Sequence, residues 1–300
     1  MRFLGIVLAF LMVAVPSTLP AEMQKAKTLD ELAKLFDSSS CKECHDTIYG
    51  QWEKSHHARP LLGVAKGPIL QPVVTASAFK IAKPEDATLK TFPCFKCHAP
   101  HIVRWAEDGV AREIAAALMA NPIDFAQLQK VQITCKVCHW EKAIVHRLTD
   151  GKPTPPAEGV IYGSTSGAHD SKEFPKLEKS VILKQAIFCG QCHGTGPNFE
   201  FDYPVQCATL YGSYQHNYLS NGGFQSCQEC HMQQKDGVPD HLIGPNFDDK
   251  PATQALLAKT VHLDVQTLGY QWLRKAKDHR PIVVVNTKIT HDAGHRIPDG

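Results

Sequence analysis

Apolar residues recur at helical spacing over 28–37, where Leu29, Leu32, Leu35 and Phe36 share one face. Thr28 precedes them as a residue able to cap the first turn, so a short helix is predicted there. The strongest amphipathic stretch is 103–119, with Val103, Ile114, Ala115, Leu118 and Met119, ending near Asn121-Pro122. Between these lies 60–93, punctuated by Pro60, Pro68, Pro72, Pro84 and Pro93, which reads as a long surface loop. Residues 151–170, with Pro153, Pro155, Pro156 and several Gly and Ser, read as irregular too. Past residue 260 the period changes to two. Val261, Leu263 and Val265 alternate, and so do Val283, Val285, Thr287 and Ile289, predicting a pair of strands.

The N-terminus follows neither period. Met1-Arg2 leads an apolar run from Phe3 to Val15 that Pro16 breaks, with small residues up to Ala21 before Glu22. A run of about 13 residues is short of the ~20 that span a bilayer, so residues 1–21 are expected to be a removable signal peptide. The mature chain is then exported, to the periplasm or beyond. No other stretch approaches transmembrane length. Lys plus Arg number 32 and Asp plus Glu 30, a net charge of +2, which gives no basic footprint for nucleic acid.

Two counts change the picture: 11 cysteines and 16 histidines. Ten of the cysteines form five C-x-x-C pairs, each followed at once by histidine. They are Cys41/Cys44-His45, Cys94/Cys97-His98, Cys135/Cys138-His139, Cys189/Cys192-His193 and Cys227/Cys230-His231, called motifs 1 to 5. Chance would give roughly 0.02 such pentapeptides at this composition. Thiols three residues apart lie about one helical turn apart and can both add to the vinyl groups of one porphyrin. The adjacent histidine then sits under the iron as proximal ligand. Structural zinc pairs its C-x-x-C units two by two, which would leave one over, and redox dithiols do not need the histidine. Five covalently bound haem c groups are therefore expected. Haem attachment outside the cytoplasm agrees with export. Cys207 is the odd thiol and reads as a buried small hydrophobe, with an intermolecular bridge as the other option.

The motifs start at 41, 94, 135, 189 and 227, with no fixed period, so the chain is not a solenoid of equal repeats. About 279 mature residues leave roughly 56 per haem, too few for a large side-chain core. The expected fold is mainly α with much irregular structure, organised around five haems, with a short β element at the C-terminus. The expected division is a signal peptide (1–21), a pentahaem cytochrome c domain (22–250) and a C-terminal β-containing segment (251–300).

On these motifs the chain resembles the exported multihaem cytochromes c related to the tetrahaem cytochrome of nitrification, a superfamily that includes hydroxylamine oxidoreductase. Trp52, Ser55, His57 and Ala58 are similar to that family's W-x-x-S-x-H-A segment, whose histidine serves as a distal axial ligand. Gly167-Ala168-His169, His241 to Gly244, and Gly294-His295-Arg296-Ile297-Pro298-Asp299-Gly300 are similar to further ligand segments. In relatives the last of these is followed by more strands, whereas the sequence stops at Gly300. A fragment, or an edge covered by a partner, is the expectation, since an open edge strand invites pairing.

Eleven histidines remain outside the motifs, enough to fill five distal positions. His57, His169, His241 and His295 are the candidates, with His146, seven residues past His139, for the fifth; each could equally be a surface or satisfied core histidine. His56, His262, His279 and His291 are read as surface or core residues. Met119 packs its helix, and Met232 cannot reach over its own haem. Two functions stay open. One is a relay passing electrons between donor and acceptor proteins, a membrane-bound quinol oxidase or reductase among the candidate partners. The other is an oxidoreductase acting on a small nitrogen or sulfur species at one open haem. Self-assembly into a filament, with histidines of one subunit ligating haems of the next, is a third arrangement the surplus histidines allow.

Overall fold

The computed structural model describes residues 25–63, 81–91, 94–144, 155–194, 209–275 and 278–297. The predicted signal peptide, His146 and Cys207 lie outside them. Helix α1 (Leu29–Leu35) forms as the pattern requires: the Thr28 hydroxyl accepts from the Glu31 amide at 3.2 Å, and Leu29 and Leu32 are buried. Helix α2 (Lys42–Lys54) carries motif 1 and leaves helical geometry at His45 (φ −119°, ψ 40°). Then come α3 (Phe95–His98), α4 (Ile102–Trp105) and α5 (Asp108–Met119).

The amphipathic stretch 103–119 is thus two helices rather than one. Ala106 leaves the helix and bridges Ala26, with the Ala26 amide on Trp105 O and the Glu107 amide on Ala26 O, both at 2.8 Å. The incoming N-terminal segment takes these backbone groups, which periodicity along one segment cannot reveal. Gly109 makes the approach possible, because a Cβ there would lie 2.3 Å from the Lys27 carbonyl oxygen.

The core packs α1 against α5, whose Val110, Ala111, Ile114, Ala115, Ala117 and Leu118 are buried, with Leu61, Leu62, Phe95, Ile102 and Trp105 around them. Leu128 of α6 (Phe125–Leu128) and Val137 close it. This core belongs to the first half of the chain. Beyond residue 155 the buried apolar side chains among the described residues are Val160, Phe174 and Tyr214.

The stretch read as irregular over 151–170 contains strands. β1 (Val160–Gly163) runs parallel to β3 (Lys176–Lys179), and β2 (Gly167–Ala168) pairs antiparallel with β3, in the order β1-β3-β2. These strands exist through pairing with a segment that carries no alternation signal. Helices α7 (Ala186–Gly190), α8 (Leu210–Ser213) and α9 (Cys227–His231) follow, with a small hairpin of β4 (Gln234–Lys235) and β5 (Val238–Pro239). Helix α10 (Lys250–Thr260) leads into β6 (Val261–Lys275), antiparallel to β7 (Asp278–His291). The predicted strand pair forms and extends well beyond the alternating residues, so the C-terminal β element is longer than expected. Leu263 faces Ile289 and Val265 faces Thr287 across it.

Candidate functional site

Each motif opens a turn of helix, as its spacing requires. Cys94 O accepts from the Cys97 and His98 amides at 3.2 and 2.9 Å, and Cys189 O from Cys192 and His193 at 3.1 and 2.9 Å. In motif 5 the turn is fixed by a capping box, with Ser226 and Glu229 each accepting from the other's amide. Motif 3 lies on a wider turn, Val137–Glu141, whose π-type bond runs from the Lys142 amide to Val137 O at 2.9 Å. All ten motif cysteines are free thiols.

Four motif histidines face a second imidazole from a distant part of the chain. His45 faces His169 with ring centroids 6.4 Å apart and planes 8° apart. His139 faces His241 at 6.3 Å and 27°, and His231 faces His295 at 6.0 Å and 21°. His193 and His57 are 6.1 Å apart with planes crossed at 79°. These partners are four of the five residues picked from sequence. The fifth, His146, lies outside the described residues, and motif 2's His98 has no facing imidazole among the described residues.

The spacing has a chemical meaning. An imidazole nitrogen sits about 2 Å from a metal it binds and about 1.1 Å from its own ring centroid, so two imidazoles on opposite sides of one metal place their centroids roughly 6.2 Å apart. Direct stacking would bring the rings closer and a shared hydrogen bond would place them edge to edge. The residues therefore fit a haem iron held between two histidines, with the paired thiols at its rim.

Backbone carbonyls orient the rings. His139 Nδ1 bonds to Tyr162 O at 2.8 Å, His231 to Gly244 O at 2.6 Å, and His98 to Pro60 O at 2.7 Å. Among the facing histidines, His169 bonds to Phe174 O and His241 to Pro239 O, both at 2.8 Å, and His295 to Arg296 O at 2.9 Å. A carbonyl at Nδ1 fixes the proton there and leaves Nε2 free as a donor, the usual outer contact of a metal-bound histidine. His98 carries the same contact, so it is arranged like the others. The small β-sheet serves two pairs, since Tyr162 of β1 orients His139 and His169 directly follows β2.

Electrostatics keep the rings neutral, the form that binds iron. Burial pulls His57 down to about 4, and it lowers His139, His193, His231 and His241 as well. Between motifs 2 and 3 lies a buried group that sequence reasoning did not pick. His101, 2% exposed, packs on Phe36 at 4.5 Å, and its Nδ1 has no hydrogen-bond partner. Beside it Trp105 Nε1 donates to Glu141 at 2.7 Å, and Arg104 lies 3.6 Å from the same carboxylate. Burial raises the Glu141 carboxyl above its ordinary range, against these two partners. The only sequence signal for His101 is its place one position before the helical stretch beginning at Ile102.

A family model described as cytochrome c554 and c-prime matches residues 40–140, which hold motifs 1 to 3 and His57. Among solved structures the chain is similar to the crystal structure of a penta-heme cytochrome c552 from Thermochromatium tepidum. The TM-score is 0.55 at 19% identity, covering 88% of this chain and 68% of that one. The fold is that of a multihaem cytochrome c. No curated protein matches the chain. Covalently bound haem c is the cofactor that such a cytochrome carries, and electron transport is its class of activity. Among the described residues of this cytochrome, no helix is long and apolar enough to cross a membrane.

Proposed function

We propose that the chain is an exported pentahaem cytochrome c that relays electrons between redox partner proteins in the periplasm or outside the cell. The observation that carries this reading is the set of four imidazole pairs at 6.0–6.4 Å, each joining a motif histidine to one far away in sequence. In it the ten motif cysteines hold five haems. His45, His98, His139, His193 and His231 are the proximal ligands, and His169, His241, His57 and His295 the distal ligands of motifs 1, 3, 4 and 5. Haem supplies a one-electron Fe(III)/Fe(II) couple whose potential follows its axial ligands and surroundings.

The residues do the rest. Paired imidazoles hold iron six-coordinate in both oxidation states, which keeps reorganisation small, and carbonyl contacts at Nδ1 fix ring orientation. Two nitrogen ligands favour lower potentials than a His/Met pair. The scarcity of buried apolar side chains beyond residue 155 supports haems as the core of the second half. We place the haem domain at 22–250 after a signal peptide (1–21), with 251–300 as a β-containing segment. Donor and acceptor are redox proteins, a membrane-bound quinol oxidase or reductase among them.

One observation favours a second reading. His98 has its Nδ1 contact but no facing imidazole among the described residues. If its haem is open, the chain fits a multihaem oxidoreductase acting on a small nitrogen or sulfur species, as the resemblance to the hydroxylamine oxidoreductase superfamily implies. Carbon monoxide titration of the ferrous protein separates the two. A relay with five closed haems binds none rapidly, whereas an open motif-2 haem binds one equivalent.

A further inference from the structure

Cysteines of different motifs touch one another. The thiols of Cys41 and Cys135 are hydrogen-bonded, joining motifs 1 and 3. Cys192 bonds to Cys97, joining motifs 4 and 2, and Cys189 bonds to Cys227, joining motifs 4 and 5. Cys138 of motif 3 lies within electrostatic reach of both Cys189 and Cys192. The imidazoles repeat this map independently. His139 of motif 3 is within reach of His45 of motif 1, and His193 of motif 4 is within reach of His98 and His231 of motifs 2 and 5.

Hydrogen bonds outside the motifs tie the same pairs. Lys136 of motif 3 reaches Ser38 Oγ and Leu35 O, just before motif 1, through its amide and its Nζ, each at 3.4 Å. Gln191 of motif 4 donates to Lys142 O, just after motif 3, at 3.4 Å. Gln228 of motif 5 donates to Leu183 O and Gln185 O ahead of motif 4 at 3.0 and 2.9 Å.

We infer that the five centres are wired as a branched path, 1–3–4–5, with motif 2 attached as a side arm at motif 4. This rests on the proposed haem assignment and deepens it. Because each cysteine would hold one porphyrin edge, cysteines in contact bring two porphyrin edges together. Motif 4 is the junction, since its two cysteines touch two different motifs. Motifs 1 and 5 end the path, and each has one exposed cysteine, Cys44 and Cys230. Passage along the path moves single electrons only. One iron is oxidised as its neighbour is reduced, and no atom or proton changes place. Electrons supplied by a donor protein at one end leave to an acceptor at the other, and motif 2 equilibrates with the path through motif 4.

The test uses the haem-loaded full chain and four variants, His169→Met, His241→Met, His57→Met and His295→Met. Each alters the ligand of one haem and raises its potential, so that haem is reduced first and carries one positive charge fewer while the rest titrate. Potentiometric titration followed by electron paramagnetic resonance identifies the altered haem and shows which other signals move to lower potential. The wiring expects His169→Met to move chiefly motif 3, His295→Met motif 4, His241→Met motifs 1 and 4, and His57→Met motifs 2, 3 and 5. A variant in which methionine does not bind still marks its haem by turning it high-spin. If one variant fails to mature, the other three still test their own edges. One-by-one changes with a different neighbour map, such as His295→Met moving motif 1 and not motif 4, would overturn the wiring alone. Variants that leave every ligand signature unchanged would overturn the haem assignment instead.

Discussion

Removing His241 is the sharpest single perturbation of a distal position. Its ring lies 6.3 Å from His139, which no other imidazole faces at that spacing among the described residues. In the proposed assignment His241→Ala converts one haem in five from six- to five-coordinate. About 20% of the low-spin intensity should then become high-spin in the ferric protein. Carbon monoxide uptake of the ferrous protein should rise by one equivalent over wild type. The fold should survive. The side chain's one hydrogen bond, to Pro239 O at 2.8 Å, is worth about 1 kcal/mol, and the bond from the His241 amide to Gln51 at 2.9 Å is kept. His262→Ala is the control, because His262 and its ion-pair partner Asp292, 3.6 Å away, are more than half exposed. It should change neither spectrum nor uptake. An unchanged spin balance in correctly matured His241→Ala protein would refute the assignment of motif 3.

Three further outcomes follow from the geometry. His101 is held near pKa 3 by burial, against an ordinary 6.5, so the unfolded chain gains a proton that the native state refuses. Native stability should be unaffected above pH 6.5 and fall by about 1.4 kcal/mol per pH unit from there toward pH 3. Denaturant midpoints of wild type and His101→Gln should converge on acidification; parallel profiles would contradict this. Gly109→Ala should cost about 1–3 kcal/mol, read as a lower Tm, because its Cβ would meet Lys27 O at 2.3 Å; an unchanged Tm would mean that the contact relaxes freely. Glu173→Ala leaves Lys136, whose side chain is 6% exposed, without its carboxylate at 2.7 Å, and should cost about 1–3 kcal/mol, more than Glu178→Ala at an exposed pair.

The site was more legible in the sequence than the fold. Cys-x-x-Cys-His is a local pattern, so covalent chemistry writes it in five consecutive residues. Facing histidines are not local. His57, His169, His241 and His295 could be picked through a family resemblance, but their pairing could not. His57, twelve residues beyond motif 1, faces motif 4, and His169, just ahead of motif 4, faces motif 1. Helix α1 was legible because capping and burial act within ten residues. The break at Ala106 was not, because it depends on Ala26, eighty residues earlier. Strands β1 and β2 escaped notice for the same reason, since β3, which pairs with both, reads Lys176-Leu177-Glu178-Lys179 and lacks an apolar face. The long hairpin was seen only where its residues alternate.

The central claim is that ten cysteines tether five haems. Intact-mass spectrometry of the protein matured in a host that attaches haem c tests it most directly, under conditions that strip non-covalent ligands. The account predicts a mass exceeding that of the processed polypeptide by five haems. A mass equal to the polypeptide alone, or an excess of fewer than five, would contradict it.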